Sequence, residues 1–367
     1  CALNLSALCT KFTTEAKTSV VSLHRLFLLF VFSFTICLVI GGFLIITPEE
    51  ILLSLLSTNT VVKFFKIIGV LLPIFMLQPL IEGVLRGLKK FKLIGILQTT
   101  SSVFYLGAVS LGVLLGDLNG ALIGVISYYA LYSIVSLCIL QYKYYISNRI
   151  HLITGAWQEK GALYTMVIPL FLMSFIDAPV MWVAQVILSK SGSMESIGSM
   201  TAMMQIRSLA MLIPSYFSNT YIAFAGELNS EKRYGDYYRQ FGKITRLYLY
   251  IGIGMLLVFS ACAYPILFLY GRHFVGDWPA MIVSNFGIPL TMLIGLFRID
   301  LLLKDHQQYL LYISITWNAV WLISLYVMNL CRVDPLHSFF FSQNIGAIVF
   351  LLGLYMVYKN DKNKLLK

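Results

Sequence analysis

Residues 26–46 read LFLLFVFSFTICLVIGGFLII. No charge interrupts the run, and no alternation of apolar and polar residues breaks it. Wound as an α-helix at 1.5 Å per residue, it is roughly 30 Å long, which matches the hydrocarbon thickness of a bilayer. A barrel strand would alternate and would be about half this length, so the run predicts a membrane-spanning helix.

The rest of the chain follows the same pattern. Apolar runs are expected to span near 26–46, 65–85, 94–115, 120–140, 163–189, 196–224, 247–270, 279–297, 309–330 and 337–358. Of the 367 residues, 59% are hydrophobic and 12% are charged, and the mean hydropathy is +0.81. Soluble domains carry about 25% charged residues. The chain is therefore read as an all-α polytopic membrane protein with about ten transmembrane helices. The run at 196–224 exceeds one bilayer thickness and is expected to tilt, kink or extend into the interface.

The net charge of +11 does not point to nucleic acid, because most of the Lys and Arg sit in short loops beside apolar runs. Counted loop by loop, 21 of the 27 fall in odd-numbered segments and 5 in even-numbered ones, with Arg207 inside a run. The positive-inside rule then puts both termini in the cytoplasm. The loop segment 227–243, ELNSEKRYGDYYRQFGK, is expected to form an amphipathic interfacial helix. The six Cys form no CxxC and no zinc-ligand cluster, so neither a disulfide framework nor a metal site is expected. The loops are short, and no P-loop, GxSxG or HExxH motif occurs, so no catalytic residues or cofactor are assigned.

Two stretches share a layout at an offset of 212–218. Each begins with a loop carrying a glutamate (Glu15, Glu227) and enters an apolar run. A proline follows its outer end (Pro48, Pro265), and another lies in the next run (Pro73, Pro289). A polar turn then leads into a further run: RGLKKFK in the first stretch, KDHQQY in the second. Internal symmetry of this kind is common in transporters. Two runs precede the second copy and none precedes the first, so twelve helices in two bundles are expected, with the first two absent from this sequence; a ten-span protein with an N-terminal segment of its own is the alternative. The bundles are expected over 1–150, with four of six spans, and over 151–367, with all six.

Three segments carry a family resemblance: GVLRGLKKFKLIGILQTTSSVFYLG at 83–107, IPLFLMSFIDAPVMWVAQVIL at 168–188, and MESIGSMTAMMQIRSLAMLIPSYFSN at 194–219 ahead of a basic loop. With the charge spacing, they make the chain resemble the Wzx-type O-antigen and polysaccharide flippases, which belong to the same superfamily as the MATE multidrug exporters. The resemblance implies two six-helix bundles and alternating access. It also implies an undecaprenyl-pyrophosphate-linked oligosaccharide as cargo, moved across the bacterial inner membrane. The tail would stay in membrane lipid, and polysaccharide polymerase machinery would be a partner. A MATE-type cation-coupled small-molecule antiporter is the alternative on the same fold. A membrane polysaccharide polymerase or glycosyltransferase, which would need a sizeable outer loop, and a general solute carrier are further alternatives.

Ionisable residues inside spans mark candidate sites, because burying them in lipid is costly. Asp177 and Arg207 fall at similar depth on successive antiparallel spans and are read as a pair. Arg207 would meet an anionic cargo, and Asp177 would couple or hold it; a plain structural ion pair is the competing reading. Gln185 and Asn219 join them as cavity candidates, and Gln98, Asn285, Asn318 and Asn344 are further polar residues within spans. Gln78, Glu82 and Arg86, spaced by four, share one helix face near a basic helix end. Glu82 and Arg86 are gate candidates there, with a local i,i+4 pair as the simpler reading, and so are Arg298 and Asp300 in the second half, with helix-end charges at the interface as the simpler reading.

Overall fold

A computed structural model of the chain describes residues 2–16, 20–51, 59–143, 157–192 and 194–365. The described residues are almost entirely helical. Nine helical stretches among them are long and apolar enough to cross a membrane. The chain divides into two compact units, one of residues 2–167 and one essentially of residues 168–367. The sequence repeat had placed the division at 150/151, within a stretch that lies outside the described residues.

In the first unit, α1 (Ala2–Glu15) packs on α2 (Val20–Ile46) and α3 (Asn59–Gly87), and α3 packs on α4 (Phe91–Lys143). The contact of α1 with α3 is close. A Cβ at Gly83 would collide with the Ser6 carbonyl oxygen, and one at Gly87 would come within 2.8 Å of the Thr10 carbonyl oxygen. Thr10 also donates to the Gly83 carbonyl at 3.1 Å. Small residues let helix backbones approach where lipid supplies no hydrophobic drive. Helix α4 is two antiparallel arms, spans Phe91–Asp117 and Asn119–Cys138, which reverse at Gly116 and Asp117. Asp117 adopts φ 50° and ψ −131° there. The arms meet at Gly112 and Gly120, where either Cβ would strike the other residue's carbonyl.

The second unit contains α5 (Ile168–Ser191), α6 (Met194–Ala210), α7 (Leu212–Ser230), α8 (Tyr234–Ala261), α9 (Ala263–Tyr270), α10 (Trp278–Asn285), α11 (Gly287–Leu303), α12 (Gln307–Leu330) and α13 (Pro335–Leu365). Its core gathers Leu188, Met203, Ile206, Leu267, Met281, Trp321, Phe339 and Phe340. Outside the core the helices keep large apolar side chains exposed, Leu257 and Leu269 among them. Such faces suit lipid rather than water.

One expectation is sharpened and one corrected. The long run at 196–224 breaks between α6 and α7 at Met211, which is where the kink called for by its excess length falls. Pro214 has no N–H to return to the Ala210 carbonyl, so the helical ladder loses a rung at that point. The segment 227–243 is not a separate interfacial helix. Its first residues end α7, and Tyr234 begins α8, which runs on into the membrane span. Tyr237 and Tyr238 are buried against the bundle, which holds this basic stretch to the unit.

Helix ends repeat one device. Lys89, Lys232, Asp305 and Arg332 take φ between 56° and 62°. The residue after each bonds back across six residues: Lys90 to Leu85 O at 2.9 Å, Arg233 to Leu228 O at 3.0 Å, His306 to Leu301 O at 2.9 Å, and Val333 to Met328 O at 3.2 Å. This left-handed cap satisfies carbonyls at a helix C-terminus. Positions 89 and 305 differ by 216, inside the offset read from the repeat.

Candidate functional site

The charged residues inside the second unit form three polar nodes, around Asp177, Arg207 and Asp300. Asp177 sits on α5 and faces α12, where Asn318 donates to its Oδ1 at 2.8 Å and Ser314 at 3.3 Å. The two donors are four apart on one helix face. Arg298, on α11, is within electrostatic reach of Asp177. Its guanidinium also lies 3.6 Å from the Met173 sulfur and 5.9 Å from the Phe350 ring centroid.

Arg207, on α6, points elsewhere. One terminal nitrogen (Nη1) donates to Gln343 Oε1 at 2.8 Å on α13, and the other (Nη2) donates to Thr291 Oγ1 at 3.2 Å on α11. Thr291 in turn donates to the Gly287 carbonyl at 2.7 Å. Asn344, next to Gln343, donates to the Val283 carbonyl at 2.7 Å. Asp177 and Arg207 therefore do not form the pair read from their depth. The pair was read from residue counts along neighbouring helices, which carry no information on facing. Asp177 turns to α12, and Arg207 turns to α11 and α13.

Gln185 lines an open cleft of about 480 Å³ between α5 and α6, with Thr201, Gln205, Ser208 and the Tyr270 ring at its edge. Asn219 falls on α7, and its side chain lies outside the described ones.

Of the gate candidates, Glu82 and Arg86 form the local i,i+4 pair, whereas Arg298 and Asp300 turn to different partners. Glu82 is buried and accepts from Arg86 at 2.9 Å, Tyr132 at 2.6 Å, Gln98 at 3.1 Å and Gln78 at 3.4 Å. Arg86 also donates to Ser6 Oγ at 3.2 Å. One carboxylate thus ties α3 to both arms of α4, and its partner Arg86 adds α1. Arg298 and Asp300 are not partners, since residues two apart on a helix face away from each other. Asp300 instead pairs with Lys304 at 2.7 Å and accepts from Tyr237 at 2.6 Å. Lys304 donates to Tyr238 at 2.7 Å and sits over the rings of Tyr237, Tyr238 and Tyr358. Burial pushes the Lys304 ammonium below the ordinary lysine range, while the Asp300 charge opposes it. Beside this pair His306 meets Asp361 at 2.8 Å.

Glu82 and Asp300 differ by 218, two more than the turns that follow them. Two residues rotate a helix face by about 200°. The repeat therefore preserves the turn but not the facing of the carboxylate, and each unit recruits its tyrosine from a different helix. Tyr132, Tyr237, Lys304, Thr291, Gln343 and Gly287 were not singled out in the sequence. A tyrosine near a span end reads as interfacial belt, and nothing in the pattern distinguishes one aimed at a buried carboxylate. Gln98, Asn318 and Asn344 had been noted as polar residues within spans, and each makes a bond described above. Among the described residues no group of three or more His, Cys, Asp or Glu side chains is placed to hold a metal.

No family model and no curated protein matches this sequence. Solved structures do. A multidrug-resistance MATE family transporter of the MOP superfamily, in an outward-facing conformation, superposes with a TM-score of 0.84 at 11% identity, over 100% of this chain and 85% of that one. A MOP superfamily transporter from Pyrococcus furiosus, described by the reverse polarity of its binding pocket and a different function, gives 0.83 at 12% identity, with 100% and 85% covered. The Vibrio cholerae MATE transporter VcmN gives 0.78 at 15% identity, with 99% and 85% covered. The likeness shows the fold: an all-helical, multi-pass membrane protein with the architecture of the MATE transporters.

Proposed function

We propose that this chain is a membrane transporter that works by alternating access. The observation that carries the reading is the likeness of the whole chain to solved MATE-fold transporters. In the bilayer the basic loops would face the cytoplasm, as the loop charges require.

Two cargo classes are argued on this fold. The solved neighbours favour cation-coupled antiport of a small molecule, since one of them is described as a multidrug-resistance transporter. On that reading Asp177, held by Asn318 and Ser314, is the carboxylate that takes the coupling cation. The specific alternative is a flippase for an undecaprenyl-pyrophosphate-linked oligosaccharide in the bacterial inner membrane. Its support is Arg207, a partly buried guanidinium whose bonds all go to neutral acceptors. A cation out of water without a counter-ion is costly, and an anionic cargo would supply one. The tail of that cargo would remain in membrane lipid, and a polymerase would take up the exported unit.

The two classes part in a host lacking its own drug exporters and its own O-antigen flippase. Restored surface polysaccharide, lost again with Arg207→Ala, supports the flippase. Raised drug resistance, lost with Asp177→Asn, supports the antiporter. Neither phenotype from a chain present at normal level in the membrane would overturn the transport reading.

A further inference from the structure

The surroundings of Arg207 are unusual for a cation. Its two recorded acceptors, the Gln343 amide oxygen and the Thr291 hydroxyl, are neutral. A guanidinium has five N–H donors in a planar fork. Two are engaged, so three have no partner among the described residues. No carboxylate pairs with it among the described residues.

Gly287 is what makes room for this arrangement. A Cβ at position 287 would lie 2.6 Å from Arg207 Nη1, 2.9 Å from Arg207 Cζ and 3.0 Å from Asn344 Oδ1. The guanidinium thus rests on the bare backbone where α10 meets α11. Thr291, one turn further along α11, bonds to the Gly287 carbonyl with its proton and receives Arg207 with its lone pair. The hydroxyl therefore joins the position of the guanidinium to that of the Gly287 backbone. Gln343 fixes the other side of the fork from α13.

We propose that Gly287, Thr291 and Gln343 form a neutral cradle that positions Arg207 to bind a phosphate-type anion. The charge is held in place without being neutralised, and the unused donors of the fork match the oxygens of a phosphate or pyrophosphate. The inference rests on the anionic-cargo reading for its biological meaning but not for its chemistry. The atom nearest a new Cβ at position 287 is the tip of a flexible side chain. Gly287→Ala should therefore fold normally and displace the guanidinium.

The test is pyrophosphate binding by the full chain in nanodiscs of neutral lipid, followed by calorimetry. Wild type should bind. Arg207→Ala should abolish binding, and Arg207→Lys should weaken it, because an ammonium lacks the fork. Gly287→Ala should weaken binding at least about tenfold with an unchanged melting temperature in the absence of ligand. In the Arg207→Ala background, Gly287→Ala should have no further effect, which separates positioning through Arg207 from any other effect of the substitution. Nanodiscs containing phosphatidylglycerol form the second arm. Competition there with pyrophosphate would identify a lipid headgroup as a source of the anion, and its absence would point to the cargo. No binding by wild type to either anion, or binding indifferent to Gly287→Ala, overturns the cradle. Binding that follows these variants while surface polysaccharide does not would sink the flippase reading and leave the anion site standing.

Discussion

Tyr132 donates a hydrogen bond of 2.6 Å to Glu82, a residue fifty positions earlier in the chain. Both side chains are buried, and Arg86, Gln98 and Gln78 complete the coordination of the same carboxylate. A charge in this setting is stable because its donors come from several helices at once. Its loss should therefore loosen those helices together.

Tyr132→Phe removes one donor and keeps the ring. A hydrogen bond to a charged group contributes about 1.5–3 kcal/mol. The substitution should lower the thermal unfolding temperature of the solubilised chain. In a Glu82→Gln background the same change should cost clearly less, because the bond no longer ends on a charge. Equal costs in both backgrounds would mean that the hydroxyl stabilises something other than Glu82.

Asp300 and Lys304 make the corresponding pair in the second unit, with side-chain exposures of 0% and 5%. Solvent screens neither partner. Lys304→Met would leave a buried carboxylate with Tyr237 as its remaining donor, and breaking a buried pair costs about 3–5 kcal/mol. The double variant Asp300→Asn with Lys304→Met removes both charges and should recover most of that loss. A double variant as unstable as Lys304→Met alone would count against the pair as the source of the cost.

The membrane class and most spans were legible in the sequence because they rest on long apolar runs, which add up over many residues. The turns of Lys89 and Asp305 stand 216 apart, within the offset read from the repeat. What escaped was facing. The depth of Asp177 and Arg207 follows from counting residues at a fixed rise, but the partner each side chain meets depends on how helices are rotated about their axes. A rotation that turns Arg207 to Thr291 and Gln343 leaves no trace in hydropathy. The split at Met211 was half legible: Pro214 was visible, and the excess length had called for a kink or tilt without locating it. Gly287 carried no signal, since a glycine in a span is common and its use here depends on a side chain eighty positions away.

Gly83 and Gly287 make a contrast that tests the reading of close contacts. A Cβ at Gly83 would meet a backbone carbonyl, that of Ser6, and would lie 2.6 Å from the Cys9 Cβ. Neither can move without moving α1. Overpacking of this kind costs about 1–3 kcal/mol. Gly83→Ala should lower the unfolding temperature and raise hydrogen exchange in residues 5–14, whereas Gly287→Ala should do neither. Similar stability losses at the two positions would contradict the distinction between a backbone that cannot yield and a side-chain tip that can.

Asp334 caps the start of α13. Its Oδ2 accepts from the His337 backbone N–H at 3.1 Å and lies 2.7 Å from His337 Nδ1. Partial burial pushes its carboxyl up, but the bonds from His337 prevail and hold it below the ordinary carboxylate range. Replacing a capping Asp by Ala costs about 0.5–2 kcal/mol. The low end applies here, because the side chain is 59% exposed and water competes for it. The sign of the pH dependence follows from the direction of the shift. A carboxyl with a depressed folded pKa stabilises fully above its unfolded value of about 3.9 and loses that contribution as pH falls through the folded value. Asp334→Ala should therefore raise hydrogen exchange in the first turn of α13 at neutral pH, and the difference from wild type should shrink only in acid below that unfolded value. A difference that persisted unchanged into strong acid would assign the effect to the loss of side-chain packing rather than to the ionised cap.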